Sequence, residues 1–300
     1  PTTAGASTCC MQIAEIELLG TAGGGGDDII DRLSEGLVSY WPLDEITTDG
    51  LTEDFVSGYD MEATNLGADN VVEGKFGHAI SFSNADKTLL SRKHGEDDDL
   101  PANKHDSFTV SFWSKVQGTG QNDLRLFSES NTSGNNTPLF NIGTKNNGSD
   151  GSIDFYIRGI GSGPTVGHIF STAEPFDGEW HHVTFVQENL ERRVYVDGVL
   201  DDLAIDPKVE GESNVDATTI GGILRGSASH WVTGVIDEVV IWKRALSAGE
   251  VAGINEFSTI LHEDVLPNRG VDKEPPALSV VHNGDGTVTI TFEGTLQAAP

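Results

Sequence analysis

The sequence predicts an all-β protein, on three observations. From about Ser34 to Phe257 it is dense in short runs of alternating apolar and polar residues, separated by Gly, Asn and Asp turns. The 300 residues include 36 Gly and 11 Pro, a turn-rich composition that excludes long helical bundles, and the 37% that are hydrophobic suffice for a sizeable core. One good helix signal comes late: Ser247-Ala-Gly-Glu250 is a capping box, and Ala248, Val251, Ala252 and Asn255 recur at helical spacing.

Taken in order, residues 11–20 (MQIAEIELLG) alternate like a strand, and one strand cannot fold alone. Residues 1–20 are therefore expected to be the end of a preceding domain, whose last strand resembles that of discoidin-like modules, and 21–33, with TAGGGGDD, a Gly-rich linker. The main domain is expected over 34–257 and a polar, Pro-containing connector over 258–275. Residues 276–300 hold two alternating runs around Asn283-Gly284-Asp285-Gly286, a hairpin signal resembling the start of a fibronectin-type domain cut short. No repeat of fixed period is present. The adjacent Cys9 and Cys10 supply neither a disulfide framework nor a four-ligand zinc site. The chain lacks an initiator Met and a signal-peptide pattern, and it reads as a piece of something longer.

Lys and Arg number 18 against 47 Asp and Glu, a formal net charge of −29. Such a chain repels nucleic acid and anionic membrane surfaces, and no apolar run is long enough to insert in a bilayer.

Six motifs then carry a family resemblance: Gly36-Leu-Val-Ser-Tyr-Trp-Pro-Leu-Asp44-Glu45, Glu73-Gly-Lys-Phe-Gly-His-Ala-Ile80, Phe108-Thr-Val-Ser-Phe-Trp113, Gly178-Glu-Trp-His-His-Val183, Val194-Tyr-Val-Asp-Gly198 and the segment Gly234 to Leu246 containing Val-Ile-Asp-Glu-Val. Their order resembles that of laminin G-like domains of the concanavalin A-like superfamily. The resemblance implies a two-sheet antiparallel jelly-roll sandwich with a curved face. It also implies secreted, multi-domain proteins that bind glycans or other extracellular ligands, commonly with one calcium ion.

Alternation assigns side chains to faces. Phe108, Val110, Phe112 and Val116 share one face of their strand, which leaves Trp113 on the polar one. Ile153, Phe155 and Ile157 point inward and Asp154, Tyr156 and Arg158 outward, while His182 alternates with Val183 and Tyr195 with Val194 and Val196. If these strands are neighbours, Trp113, Asp154, Tyr156, Arg158, His182 and Tyr195 share one concave face. Aromatic rings cover the C–H face of a pyranose, and Asp and Arg hydrogen-bond its hydroxyls. Trp231, in GSASHWVTG, is a candidate for a loop site, whereas Trp41 and Trp180 sit in motifs and are read as packing residues.

For calcium, which takes 6–8 oxygens, the resemblance selects Asp44 and Asp237, acidic positions of the first- and last-strand motifs. Asp237 alternates with Val235 and Val239, so its charge would be buried, which is costly unless a cation or hydrogen bonds neutralise it. Asp54 and Asp60 flank the next most promising loop, and Glu96-Asp97-Asp98-Asp99 reads as solvated surface.

Jelly-roll glucanases carry Glu-x-Asp-x-x-Glu on one strand, and a retaining mechanism needs two carboxyls about 5–5.5 Å apart. Around Asp154 the corresponding positions hold Ser152 and Ile157, so no catalytic pair is expected. His181 and His182 face opposite ways and do not chelate one ion together. The expectation is a non-catalytic, extracellular carbohydrate-binding or adhesive module with Ca2+, whose partner is a polysaccharide or other glycan, with an extracellular protein next in line. The alternative is a structural or self-associating β spacer without a sugar site.

Overall fold

The computed structural model describes residues 32–134, 139–148, 150–158, 165–189, 191–201, 215–256, 279–282 and 288–291. The expected terminal strand, the Gly-rich segment up to residue 31 and the connector from 258 lie outside them. The first strands are β1 (Leu37–Trp41), β2 (Leu51–Thr52), β3 (Met61–Thr64), β4 (Val71–Glu73), β5 (His78–Phe82), β6 (Leu89–Lys93) and β7 (Phe108–Gln117). There follow β8 (Arg125–Ser130), β9 (Leu139–Thr144), β10 (Ile153–Arg158), β11 (Thr165–Phe170), β12 (Asp177–Glu188), β13 (Glu191–Val196) and β14 (Val199–Leu200). The last are β15 (Ala217–Ile220), β16 (Ile223–Arg225), β17 (Ser227–Ser229), β18 (Gly234–Trp242), helix α1 (Ala248–Glu256), β19 (Ser279–His282) and β20 (Val288–Thr291).

Two eight-stranded sheets form the sandwich. The first runs β14-β13-β12-β7-β18-β5-β4, with β1 also paired to β18, and the second runs β11-β10-β9-β8-β15-β6-β3-β2. Apart from one parallel bridge between Arg125 and Trp231, the pairings are antiparallel, which makes this a jelly roll. Turn chemistry sets the β13–β14 hairpin: Asp197 and Gly198 have φ of +50° and +77°, the left-handed pair a two-residue turn needs. A further pair, β19 with β20, matches the hairpin expected near 283–286.

The inward residues of both sheets make one core. Phe108, Val110, Phe112 and Val116 meet Ile153, Phe155, Ile157, Val183, Phe185 and Val194 there, as alternation requires. Each fully buried Phe or Val contributes about 1.5–3 kcal/mol of apolar transfer energy. A second cluster lies on the opposite side of the first sheet, where Tyr40, Val186, Tyr195, Val240 and Trp242 are covered by Leu33, Leu246, Val251 and Ile254. The capping box forms as expected, Ser247 N–H donating to Glu250 Oε2 at 2.7 Å. The buried helix face is Val251 and Ile254, not the expected Ala252 and Asn255, because α1 docks on Tyr195 and Trp242.

Leu33 was expected in the linker but is fully buried, and its carbonyl accepts the Trp242 indole N–H at 2.7 Å. Arg244 closes this end of the domain. Its guanidinium donates to the carbonyls of Glu35 and Arg32 and to Glu250 Oε1. Among the described residues, no helix is long and apolar enough to cross a membrane.

Candidate functional site

The residues expected on one face occupy two. Trp113, His182 and Tyr195 belong to β7, β12 and β13 of the first sheet, whereas Asp154, Tyr156 and Arg158 belong to β10 of the second. Alternation places all six off the core but contains no record of which sheet a strand joins.

The outer face of the first sheet is roofed. Trp113 is 5% exposed, stacked on His182 with ring centroids 5.0 Å apart, and covered by the β4–β5 loop through Lys75 Nζ at 4.4 Å and the edge of Phe76 at 6.0 Å. His182 is buried with its Nε2 2.6 Å from Ser111 Oγ, and burial pulls its pKa down to about 3. Tyr195 lies under α1. These three residues hold the roof on and present no open surface to a sugar.

A carboxylate cluster sits at the edge of that roof. A bulge in β18, with Glu238 at φ +52°, interrupts alternation, so Val239 turns into the core while Asp237 stands opposite Trp113 on the outer face. Asp237 is fully buried; its Oδ2 accepts the N–H groups of Lys75 and Phe76 at 2.7 and 3.1 Å, and its Oδ1 has no hydrogen-bond partner. Burial first, then Glu238 and Asp44, push its pKa up to about 8. Glu238 Oε2 accepts the Tyr40 hydroxyl at 2.7 Å, and Asp44 Oδ1 accepts His78 N–H at 2.6 Å. Gly77 turns at φ +50° so close to this carboxylate that a Cβ there would fall 2.5 Å from Asp44 Oδ1.

Asp44 is near enough to Asp237 to raise its pKa. Asp54 and Asp60 do not join them as a ligand set. Asp54 accepts four backbone N–H groups, those of Tyr40, Val56, Ser57 and Tyr59 at 2.7–3.1 Å, and Asp60 Oδ1 accepts the Asp54 N–H at 2.9 Å. Their oxygens tie down their own loop, as Asp side chains in turns commonly do.

The outer face of the second sheet differs. The β16–β17 hairpin folds over one part of it, Ser130 Oγ donating to the Leu224 carbonyl at 2.6 Å and the Gly226 N–H to the Thr132 carbonyl at 2.8 Å. Beside the hairpin, Tyr156 and Arg158 remain half-buried and His168 exposed. The Tyr156 ring stacks on His168 at 4.4 Å, and His168 is held at both nitrogens: Nδ1 lies 2.6 Å from Asp154 Oδ2 and Nε2 2.9 Å from Asn146 Nδ2. Asp154 is 1% exposed, and burial raises its pKa against the lowering effect of His168. Its Oδ1 and the Oδ1 of Asn141, the residue cross-strand to Tyr156, are buried without partners.

The hairpin side brings Arg225, His230 and Trp231. The 125–231 bridge aligns them with Asp123, which pairs with Arg125 Nη2 and lies 3.5 Å from His230 Nε2, while an Arg225 Nη2 sits 3.3 Å from the His230 ring. Sequence reading singled out Asp154, Tyr156 and Arg158 for a shared face and Trp231 for a separate loop site, and did not single out Asp123, Asn141, His168 or Arg225. The missed residues come from a neighbouring strand, loops and a hairpin joined only by long-range pairing.

Among the described residues, one group of three His, Asp or Glu ligand atoms lies within 4.8 Å of one another: Asp123, Asp154 and His168. Two guanidiniums, Arg125 and Arg225, act on the two carboxylates, so the group has no net negative charge with which to draw in a cation. Its hydrogen bonds instead fix His168, and through it the plane of Tyr156.

This architecture has known relatives. Residues 94–252, slightly more than half of the chain, match the Laminin_G_3 family model, described as the concanavalin A-like lectin/glucanases superfamily. The human adhesion G-protein coupled receptor D1 is 28% identical over 224 residues, 71% of this chain, which spans about a fifth of that receptor's length (22%). In fold, the chain is similar to Trypanosoma rangeli sialidase (TM-score 0.55, 15% identity, 76% of this chain and 34% of that one). It is also similar to the binding domain of Paraclostridial Mosquitocidal Protein 1 (TM-score 0.55, 16% identity, 87% and 64%). The chain belongs to the laminin G-like family of the concanavalin A-like lectin/glucanase superfamily.

Proposed function

We propose that this chain is a non-catalytic, extracellular carbohydrate-binding or adhesive module of a larger multi-domain protein, and that sugar binds on the open part of the second sheet's outer face. The observation that carries this is Tyr156, a half-buried aromatic ring held flat by the Asp154–His168 pair near Arg225. An oriented ring flanked by polar groups is what a pyranose needs, apolar contact on one face and hydrogen bonds at its rim. The similarity to an adhesion receptor supports a glycan or extracellular protein partner. A binding role fits better than hydrolysis because Asp123 and Asp154 are tied to Arg125 and His168 rather than paired across an open cleft.

Calcium fits the other face. The fully buried Asp237 Oδ1 has no hydrogen-bond partner, and Glu238 and Asp44 raise the pKa of Asp237, a repulsion that a divalent cation bound at Asp237 would cancel. A cation held there would fasten β18 to the β4–β5 loop, stabilising the roof without touching sugar.

A glycan array in calcium-containing buffer, followed by titration of a retained glycan, tests the sugar site. Tyr156→Ala should weaken binding about tenfold or more. Retained affinity in both Tyr156→Ala and Trp231→Ala variants would overturn this placement. If no glycan is retained, the module is a spacer or a self-associating unit. For the latter, the exposed edge strand β14, with Val199 69% and Leu200 51% exposed, is the surface to examine.

A further inference from the structure

Between the two sheets lies a carboxyl that neither the sugar face nor the calcium reading uses. Glu129 stands on β8 opposite Phe140 on one side and Thr218 on the other, so its side chain shares the core face with Phe140, and it is fully buried. Its backbone partners come from the loop joining β6 to β7, residues 94–107: the Ala102 N–H donates to Oε1 at 2.6 Å and the Asn103 N–H to Oε2 at 3.0 Å. Leu100 and Ala102 seat the same loop in the apolar core. The Thr218 hydroxyl lies 3.5 Å from Oε1 and 2.8 Å from His94 Nε2. A proton on Glu129 therefore has an acceptor in Thr218, whose own proton goes to His94 when Nε2 is the unprotonated nitrogen. Among the described residues no charged group acts on Glu129; Arg92, cross-strand from Thr218, is committed to Asp98 and the Tyr59 ring. Once ionised, the carboxylate is held out of water by two amide donors and no cation, which is unfavourable. Burial accordingly raises its pKa from 4.5 to about 7, against the pull of Asn103, Ala102 and Thr218.

We propose that the 94–107 loop is a pH-governed latch on one end of the sandwich, shut while Glu129 carries a proton and released as the carboxyl ionises. Opening lets the carboxylate reach water and lifts Leu100 and Ala102 out of the core. The sign follows from linkage: the closed loop binds the Glu129 proton more tightly than the open one, so rising pH favours opening. The loop's other titratable groups do not imitate this. The pKa of Asp98, where the Gly95 N–H and Arg92 outweigh burial, and that of Asp99, held down by Lys243, lie below the ordinary carboxylate range, so both stay ionised throughout. Burial lowers His94 to about 4, with Arg92 lowering it further and Asp98, Asp216 and the Val215 backbone opposing. Burial also lowers His105, with Lys104 and Lys243 acting in the same sense and Asp99 opposing. Protonating either histidine favours opening as the pH falls, the opposite direction.

The test is residue-resolved hydrogen exchange of the folded chain between pH 5 and pH 8, each rate divided by the intrinsic rate at that pH. Protection of the Ala102 and Asn103 amides should fall by up to about tenfold per pH unit as the pH rises to about 7 and then level off, while the β7 amides stay better protected. Glu129→Gln keeps the side-chain shape without the charge, and its loop protection should not change over the same interval. Loop protection independent of pH in the wild-type chain, or a fall that persists in Glu129→Gln, overturns the latch. So does exchange of the loop and β7 amides at one common rate, which marks global unfolding. Should Glu129→Gln fail to fold, the carboxyl carbon shift of Glu129 in the wild-type chain decides: a midpoint near 7 supports the latch and one near 4.5 overturns it.

Discussion

The two outer faces of the sandwich were built from similar residues and put to opposite uses. Trp113 and His182 stack on the first sheet much as Tyr156 and His168 stack on the second, with centroids at 5.0 and 4.4 Å. On the first sheet, the β4–β5 loop and α1 close over the pair, so the stack has become packing. On the second, the β16–β17 hairpin stops short of Tyr156, and a similar stack faces solvent. An aromatic residue on a polar strand face is therefore a statement about direction only. Whether it binds anything depends on which loops return over it.

Exchanging stability for binding as the readout breaks this comparison open. The largest effect is expected from Trp113→Ala, which deletes a buried indole from the roofed face and should cost about 3–5 kcal/mol in chemical denaturation, while the folded fraction binds sugar as before. A cost under about 1 kcal/mol would mean the roof does not seal that face.

Next is calcium on the roof. With saturating calcium at about 100 times its Kd, the gain is about 2.7 kcal/mol, read as a melting temperature that chelator lowers in the wild-type chain and not in Asp237→Asn. The pH dependence sharpens this. Asp237 and Glu129 have folded-state pKa values raised by burial to about 8 and about 7. Without cation, their contributions are complete below the ordinary carboxylate pKa of about 4 and are lost as the pH rises through 7 and 8. His182, lowered to about 3, contributes above about pH 6.5 and loses that contribution as the pH falls toward 3. Calcium should remove the Asp237 part of the alkaline loss and leave the acid limb unchanged. An alkaline limb indifferent to calcium would argue against cation binding at Asp237.

Tyr156→Ala, on the open face, should show the reverse profile to Trp113→Ala: a loss of about tenfold in sugar affinity with little change in denaturation midpoint. The smallest effect belongs to the helix cap. Ser247→Ala removes the Glu250-paired hydroxyl and should cost about 1 kcal/mol, with sugar binding unaffected, because α1 roofs only the first face.

Much of this architecture was legible in the sequence for physical reasons. Period-two alternation separates Phe108, Val110 and Phe112 from Trp113 because the pleat does so geometrically, and Asp197-Gly198 announces its turn because few other dipeptides tolerate two positive φ values. The motifs also singled out Asp44 and Asp237, and Asp44 is one of the charges that raise the pKa of Asp237. What alternation could not supply was partnership across distance. His182 and Asp154 look alike within their own strands, yet β12 pairs with β7 and β10 with β9, in different sheets. His168 and Arg225 had no local signal at all: one sits on an edge strand, and the other ends the first strand of a small hairpin whose position is set by Ser130 and the Arg125–Trp231 bridge. The bulge at Glu238 likewise shifts every side chain after it to the other face, which a strict alternating pattern misassigns.

The clamp at Arg244 has a mechanical consequence. Because one guanidinium grips the chain at Arg32 and Glu35 and the helix at Glu250, and Leu33 is packed against Val251 and Ile254, the two strands of force that neighbouring segments would exert arrive side by side at one corner. Tension across the module would peel α1 and Leu33 away from the first sheet before it sheared any strand of the second. A load applied at that corner would pass through the clamp and leave the outer face of the second sheet, with Tyr156, out of its path.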